Sequence, residues 1–316
     1  MITVCSDLHL SLNNRIDDFK SVLMNQILEE ANKSELFIIL GDIFHDRRPH
    51  PIEMNIFRDF ITQVKTETII IIGNHDRNLE ASTLDELSKY NISHVKVYYP
   101  PFILDFKGLK LYLDHDMIEG AVLGPSNLSI DIKKAKKVKD LPKADMYLFG
   151  HIHKPQIIRK DPPIFYVGSI ERIDFAERNE DKFIVKIDVD KKIFGYKKLK
   201  IRPMYQITLD LNDEKTLNGL VTPQVKDAIV KIVIKGTDLQ IKKYNEANLR
   251  DSLKVVYKYA VKYEIVKNGV VRNSNISEDK STITCFNEYA KVNNFDSNTI
   301  NKGIEIINEY TKSNNT

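Results

Sequence analysis

Five short motifs rich in histidine and aspartate, each directly after a run of apolar residues, constrain this chain more than any other feature of its sequence. The apolar runs are rich in β-branched residues and continuous rather than alternating, which is typical of strands buried on both faces of a sheet. An open α/β sheet presents its ligands at the carboxyl ends of its strands. The sequence therefore predicts that all five motifs meet at one site.

The motifs differ in their residues but share this placement. They are Asp7-Leu-His9, Gly41-Asp42-Ile-Phe-His45, Gly73-Asn74-His75-Asp76, His115 in Leu-Asp-His-Asp, and Gly150-His151-Ile-His153, after the runs 2–5, 36–40, 68–72, 109–113 and 146–149. A lone histidine after a strand is usually only a polar residue at the strand end. Five such motifs in order are difficult to explain by independent structural causes.

The residue types in these motifs favour metal binding. Aspartate and histidine suit Mn²⁺, Fe²⁺ or Zn²⁺ and require no thiolate ligand. A carboxylate such as that of Asp42 has two oxygens and can bridge two ions, while the carbonyl of Asn74 adds a neutral oxygen ligand. Two ions about 3.5–4 Å apart clamp the phosphoryl oxygens of an in-line displacement. Cys5 precedes the first motif and is expected to be a buried strand residue, not a ligand.

Composition and charge place the chain in a broad class. Its 316 residues, with a hydrophobic fraction of 42% and a charged fraction of 29%, are ordinary for a globular protein of about two domains. Two distant cysteines favour a reducing interior, no signal-peptide pattern precedes residue 2, and no apolar run approaches the ~20 residues that span a bilayer. We therefore expect a cytoplasmic protein with no membrane partner, nucleoid-associated if the source is cellular.

Net charge does not decide whether the chain binds nucleic acid, because it is only +3. One local cluster is basic, with lysines at positions 133, 134, 136, 137 and 139. This cluster is either a solvated helix face or a contact for phosphate groups, which lysine binds without reading sequence.

The order of the remaining patterns predicts an α/β fold. Helical spacing of apolar residues appears over residues 16–31 and 53–65, and a Lys107–Gly108 turn predicts a hairpin within 98–113. We expect a layered domain of mixed β sheets flanked by helices over residues 1–203, a smaller α+β capping domain over 204–280, and terminal helices over 281–316. The last two helical patterns are Ile283 to Val292 and Ile300 to Tyr310.

Through all five motifs the chain resembles the calcineurin-like metallophosphoesterase superfamily. Within it, three stretches look like SbcD-type DNA repair exonucleases: Gly41-Asp-Ile-Phe-His-Asp-Arg-Arg-Pro49, Tyr166 to Glu177, and Ile201-Arg-Pro203. The resemblance is specific over about residues 1–203. Over the remainder it is a similarity in length and element order.

This resemblance implies roles for individual residues. One ion would be bound by Asp7, His9, Asp42 and His153, and the other by Asp42, Asn74, His115 and His151. His75 would act as an acid toward the leaving oxygen or orient the phosphate, and His45 would help to position the substrate. His94 competes with His115 for its ligand role, but it falls inside a predicted strand, and we prefer His115.

The resemblance also implies an activity and partners. The activity would be that of a Mn²⁺-dependent nuclease, an exonuclease on duplex DNA ends and an endonuclease on single strands, acting in DNA repair and recombination with an SbcC-type ABC ATPase that carries a coiled coil. Two alternatives remain open. One is a phosphoesterase for a small molecule, a cyclic nucleotide or a phosphoprotein, and the other is a non-catalytic scaffold.

Two assembly surfaces are predicted. The first would make a homodimer, through an apolar stripe at Ile56, Phe57, Phe60, Ile61 and Val64 and a second pattern at Leu79, Thr83, Leu84 and Leu87; the alternative is that both pack on the sheet. The second is a helical hairpin from about Ser281 to Tyr310, which would dock on the ATPase or else pack against its own domain.

Overall fold

The computed structural model describes the chain except for residues 13–14, 78–91, 129–130, 213–224, 246, 248, 250–252, 267–281, 294 and 314–316. Two compact units are present. The first comprises residues 1–208, 218–233 and 246–262, and the second comprises 209–217, 234–245 and 263–316.

Fourteen strands and six α-helical segments are seen in the described part of the chain. The strands are β1 (Ile2–Cys5), β2 (Leu36–Leu40), β3 (Thr68–Ile71), β4 (Val95–Tyr98), β5 (Phe102–Phe106), β6 (Leu109–Asp114), β7 (Met146–Phe149), β8 (Gln156–Lys160), β9 (Pro163–Tyr166), β10 (Phe183–Asp188), β11 (Ile193–Lys198), β12 (Met204–Asp210), β13 (Ile229–Gly236) and β14 (Lys258–Ile265). The helices are α1 (Ile16–Val22), α2 (Leu28–Asn32), α3 (Pro51–Ile61), α4 (Asp238–Lys243), α5 (Thr282–Val292) and α6 (Ser297–Ser313), with a π-helical turn at Leu23–Ile27 between α1 and α2. Short 3-10 turns cover Pro125–Asn127, Ile132–Lys134, Val138–Asp140, Phe175–Glu177 and Leu253–Val255.

The strands form three sheets. The first has the order β11-β10-β1-β2-β3-β4, with β1 to β4 parallel and β10 antiparallel to both β1 and β11. The second has the order β5-β6-β7-β9-β8, in which β6, β7 and β9 are parallel. The third has the order β12-β13-β14. The parallel strands of the first two sheets carry the five motifs at their carboxyl ends.

The predicted hairpin is present between β5 and β6. These strands pair in antiparallel register, from Phe102 opposite Leu113 to Phe106 opposite Leu109. The connecting residues Lys107 and Gly108 both have positive φ, 54° and 78°. Two consecutive left-handed residues match the right-handed twist of a two-residue hairpin.

Apolar side chains on both faces of the sheets explain the continuous apolar runs in the sequence. One face of the first sheet packs on the second sheet through residues such as Val4, Ile38, Leu111 and Leu148. The opposite face of the first sheet packs on α1, α2 and α3. A third cluster covers the outer face of the second sheet. The layered α/β fold class predicted from the sequence, with mixed β sheets flanked by helices, is thereby confirmed.

The helix α3 begins and packs for reasons visible in its sequence. Pro51 occupies its first turn, and His50 and Glu53 form a capping box, with the main-chain nitrogen of His50 2.7 Å from Oε2 of Glu53. Of the predicted dimer stripe, Phe57, Phe60, Ile61 and Val64 are buried in the protein's own core, and Ile56 packs against it. The second dimer pattern, Leu79, Thr83, Leu84 and Leu87, lies outside the described residues.

The predicted helical hairpin is formed by α5 and α6 in the second unit. Gly303 of α6 lies so close to the ring of Phe286 that a Cβ at this position would be 2.2 Å from it. Ile300, Ile304 and Ile307 are half-buried, while Ile306 is 60% exposed. None of the helices within the described residues is long and apolar enough to cross a membrane.

Two expectations about local structure were wrong. The lysines at 133, 134, 136, 137 and 139 do not share one helix face, because they lie in and between the short turns Ile132–Lys134 and Val138–Asp140. His94 is not inside a strand but in the turn that precedes β4. In both places a few apolar residues have the spacing of a helix or a strand by chance, over too short a stretch to form one.

Candidate metal centre

Hydrogen bonds join the loops that carry the first, second and fifth motifs. The nitrogen of Asp7 donates to the oxygen of Gly41 at 3.1 Å, and the nitrogen of His9 donates to the oxygen of Asp42 at 2.9 Å. The nitrogen of His151 in turn donates to Oδ1 of Asp7 at 3.0 Å. The loops after β1, β2 and β7 are therefore held in one arrangement around the site.

Two groups of side chains in this arrangement could each hold a metal ion. Asp7, His9 and His153 form the first group, and Asp42, His115 and His151 form the second; within each group the ligand atoms lie within 4.8 Å of one another. These groups follow the same division that the family resemblance implies.

Asp42 belongs to the second group and also faces the first. Its Oδ2 is 3.1 Å from Nε2 of His115, in the second group, and 3.6 Å from Nε2 of His9, in the first. The side chain is only 2% exposed. One carboxylate oxygen thus faces ligands of both groups, which is the position that a bridging ligand requires.

An open cleft of about 510 Å³ leads to these ligands. Asn74 is exposed at this cleft, and the half-buried rings of His45 and His75 line it as well. Its lining is completed by His9, Asp42, Ser126, Asn127, His151, His153, Ile173 and Asp174. Every predicted site residue except the fully enclosed Asp7 and His115 therefore contributes to the wall of one cleft.

A third trio of nitrogen donors, His9, His45 and His75, also lies within ligand range of one another. The rings of His45 and His75 are 5.6 Å apart between centroids, and both lie about as far from the ring of His9, at 5.4 and 5.0 Å. Nδ1 of His75 donates to the main-chain oxygen of His45. This contact fixes the orientation of His75 and leaves its Nε2 for another role.

The donor atoms fit a metal centre. Nε2 of His9 and Nε2 of His153 face each other at 3.1 Å, and Nε2 of His115 is buried without an aligned hydrogen-bond partner among the described residues. Burial, followed by the neighbouring His153, lowers the pKa of His9 well below its usual range. A neutral imidazole offers a lone pair, which is the form that binds a metal.

The backbone is strained at several of these ligands. Asp7, His9, Asp42 and His151 have positive φ values of 51°, 43°, 50° and 81°. Left-handed backbone costs a residue other than glycine on the order of 1–3 kcal/mol and persists only where the surroundings enforce it. Here the hydrogen bonds between the loops constrain the main chain at each of these four residues.

Two motif glycines are required by close packing. A Cβ at Gly73 would lie 2.1 Å from Oδ1 of Asp42, and a Cβ at Gly150 would lie 2.2 Å from the main-chain oxygen of Leu40. These contacts are shorter than van der Waals distance, so any side chain would displace a ligand or the loop that carries it. The glycines of the third and fifth motifs thus have a steric role.

Hydrogen bonds made by Nδ1 orient the rings of two of the histidines. Nδ1 of His115 donates to the main-chain oxygen of Leu40 at 2.6 Å, and Nδ1 of His153 donates to Oε1 of Glu177 at 3.1 Å. Each contact directs the Nε2 of its ring toward the ligand group, as second partners of metal-bound histidines do.

Three residues that support the site did not emerge from sequence reasoning. Asp76 is fully buried and accepts hydrogen bonds from the main-chain nitrogens of Gly73 and Ile43, at 2.9 and 3.0 Å. Asn127 bridges the last motif, since it accepts from the nitrogen of His153 and donates to the oxygen of His151, both at 3.0 Å. Glu177 is the third. Asp76 and Glu177 stand inside the quoted motifs, but Asn127 lies in a loop without any periodic signal.

His94 does not join the ligand groups in the described structure. It directly precedes β4 and so lies at the amino end of this strand. Because β4 runs parallel to β3, the amino end of β4 lies on the side of the sheet opposite to the carboxyl ends that carry the motifs. This is the physical reason to keep His115 as the predicted ligand.

Comparison with known proteins gives matches at several levels. Residues 1–191 match the family model of the calcineurin-like phosphoesterase superfamily domain. The chain is similar to the DNA double-strand break repair protein Mre11 of Archaeoglobus fulgidus, at 24% identity over 278 aligned positions that cover 68% of this chain. The chain spans 62% of that relative's length.

Two solved structures are also similar. The nuclease MPE of Pseudomonas putida is 18% identical, with a TM-score of 0.34, covering 58% of this chain and 83% of the other. A protein of unknown function from Aquifex aeolicus is 21% identical, with a TM-score of 0.33, covering 48% of this chain and 79% of the other.

Proposed function

This chain belongs to the calcineurin-like phosphoesterase superfamily, and we propose that it is a two-metal nuclease of the SbcD type that hydrolyses phosphodiester bonds in DNA. The observation that carries the proposal is the position of Asp42, whose buried carboxylate faces both ligand groups beside an open cleft. A phosphodiester entering this cleft would reach both groups at once.

Two sets of residues, which share Asp42, would hold the two metal ions. Asp7, His9, Asp42 and His153 would hold one ion, and Asp42, Asn74, His115 and His151 the other. When bound, two divalent ions polarise the phosphoryl oxygens and lower the pKa of an attacking water. We propose Mn²⁺ for both positions, as the SbcD-type resemblance implies; the ligand set of carboxylate, amide oxygen and imidazole, without a thiolate, is compatible with it.

His75 and His45 would act on the substrate. The ring of His75 is fixed by its hydrogen bond to the main-chain oxygen of His45, and both rings line the cleft beside His9. From this position His75 can deliver a proton to the leaving oxygen or orient the phosphate, and His45 can contact a neighbouring phosphate. Acid–base catalysis of this kind typically contributes about 10²–10⁴-fold to a rate.

Support for DNA as the substrate comes from the similarity to an archaeal DNA double-strand break repair protein and from the SbcD-like stretches 41–49 and 166–177. Exposed lysines add to it. Lys133, Lys134, Lys137 and Lys139 lie in the same connection as Ser126 and Asn127, which line the cleft. Lysines placed there can contact phosphate groups of any sequence.

We further propose the two partners implied by the resemblance. The hairpin of α5 and α6 would dock on an SbcC-type ATPase through its outer surface, where Ile306 is 60% exposed. We also propose a homodimer; because the predicted stripe of α3 packs in the protein's own core, a second copy would have to pair through exposed residues of that region, such as Ile52, which is 48% exposed. A light-scattering mass of one chain at tens of micromolar protein, with activity intact, would contradict the dimer.

A paired assay tests the proposed activity. The protein is supplied with Mn²⁺ and tested on linear duplex DNA, on single-stranded DNA and on bis-p-nitrophenyl phosphate. Progressive shortening of DNA, lost on addition of a chelator, is expected. Rapid hydrolysis of the small diester without any cleavage of DNA would favour the alternative, a phosphoesterase for a small molecule.

A further inference from the structure

Lys182 has no exposed surface, and it contacts two residues of the candidate metal centre, Glu177 and His153. A buried ammonium group is costly unless it is fully paired. Here Nζ lies 2.7 Å from Oε2 of Glu177, 2.8 Å from Oγ of Ser169 and 3.3 Å from Oε2 of Glu180. A fourth acceptor, the main-chain oxygen of His153, is 3.3 Å away.

Glu177 connects this lysine to the ring of His153. Its Oε2 accepts from Lys182, and its Oε1 accepts from Nδ1 of His153 at 3.1 Å. The same carboxylate also accepts from the hydroxyl of Ser126 and from the main-chain nitrogen of Ile173. The carboxylate is 1% exposed, so its position is set by these donors and not by solvent.

Lys182 therefore supports His153 in two ways. It donates directly to the main-chain oxygen of His153, and it holds Glu177, which accepts from the imidazole ring of His153. An ion pair that served only to stabilise the fold would not need contacts at both ends of one ligand. Lys186, on β10, provides the contrast: it pairs with Glu30 at 3.1 Å and with Thr3, and neither is a predicted ligand.

We propose that Lys182 is a positioning residue for the metal centre, which holds Glu177 and the main chain of His153 so that Nε2 of His153 faces Asp7 and His9. This inference rests on the proposed two-metal site. It assigns Lys182 to one ion only, because the second group, Asp42, His115 and His151, is oriented by other contacts, such as that between His115 and Leu40.

Titration of the metal-free, full-length protein with Mn²⁺, followed by calorimetry, tests the inference without any activity assay. The wild type should bind two ions. Lys182→Met should bind one ion with wild-type affinity and the other about 10–100-fold more weakly, the usual effect of losing an outer partner of a metal-binding histidine. The matched control, Lys186→Met, should bind both ions as the wild type does.

A second variant covers the case in which Lys182→Met does not fold because Glu177 is left as an uncompensated buried charge. In Lys182→Met combined with Glu177→Gln the charge is removed with its partner, which costs less than breaking the pair. The same selective loss at one ion is expected. Thermal unfolding of each variant in the presence of a chelator reports stability separately from metal binding.

The possible outcomes separate this inference from the proposed function. A folded Lys182 variant with two wild-type affinities overturns the positioning role and leaves the two-metal site standing. Equal weakening of both ions, in step with a lower unfolding temperature in chelator, shows a general structural role and also overturns it. A wild type that binds fewer than two Mn²⁺ ions overturns the proposed function and this inference with it.

Discussion

The main-chain nitrogen of His75 donates a hydrogen bond to Oδ1 of Asp42 at 2.8 Å. The other oxygen of the same carboxylate, Oδ2, lies 3.1 Å from Nε2 of His115 and 3.6 Å from Nε2 of His9. One buried side chain thus joins four of the five motifs: its own, the first, the third and the fourth. Its removal should disturb metal binding and the placement of His75 together.

Asp42→Ala is expected to abolish DNA cleavage and to reduce the bound Mn²⁺ from two ions to one or none. The physical reason is that both ligand groups face the carboxylate that is lost. Metal content after dialysis and cleavage of linear DNA are measured on the same preparation. Asp59→Ala, which removes an exposed carboxylate of α3, is the control and should change neither quantity. Two tightly bound ions in Asp42→Ala would show that Asp42 is not shared.

His75→Ala is expected to bind two Mn²⁺ ions normally and to cut DNA about 10²–10⁴-fold more slowly, the range typical of a lost acid–base residue. The expectation follows from the position of His75 in the cleft wall, outside the two groups assigned to the ions. Because His9, His45 and His75 are also within ligand range of one another, metal content is the deciding measurement. Loss of an ion in this variant would make His75 a ligand.

Gly73→Ala is expected to lower the free energy of unfolding by about 1–3 kcal/mol, as overpacking of a filled interior does, and to weaken Mn²⁺ binding. The new methyl group would fall 2.1 Å from Oδ1 of Asp42, so the carboxylate must move. Gly195→Ala in β11 is the matched control, because nothing lies within 4 Å of its added Cβ. Denaturant unfolding and metal titration of both variants are compared. Equal behaviour of the two would contradict the steric role of Gly73.

Ile306→Asp is expected to prevent co-purification with an SbcC-type ATPase and to leave the Mn²⁺-dependent cleavage of single-stranded DNA intact. The side chain is 60% exposed on α6, so its replacement should not disturb the contact between Phe286 and Gly303. Asn308→Asp adds the same charge two positions further on and should keep the partner. Normal binding of the ATPase by Ile306→Asp would exclude this surface of the hairpin as the docking site.

Much of the fold was predictable from short apolar runs. The bounds of β1, β2 and β7 agree with the runs 2–5, 36–40 and 146–149, because strands covered on both faces are apolar at every position. The predicted hairpin turn at Lys107–Gly108 also agrees with the structure. Local patterns of this kind are independent of distant residues, which is why they can be read from the sequence.

The supports of the metal centre could not be predicted in the same way. Asn127 and Lys182 lie 26 and 29 positions from His153 in the chain, and both approach it through loops that lack any periodic pattern. The left-handed backbone of Asp7, His9 and Asp42 could not be predicted either, since only a few per cent of residues other than glycine adopt it and no local pattern marks which ones do. Both features depend on tertiary contacts that enforce them.

Anomalous scattering from crystals soaked in Mn²⁺ would locate the ions of the proposed two-metal site. Two peaks per chain, about 3.5–4 Å apart, are expected. One should lie among Asp7, His9, Asp42 and His153, and the other among Asp42, Asn74, His115 and His151. A single peak, or a peak coordinated by His9, His45 and His75, would contradict the proposed site.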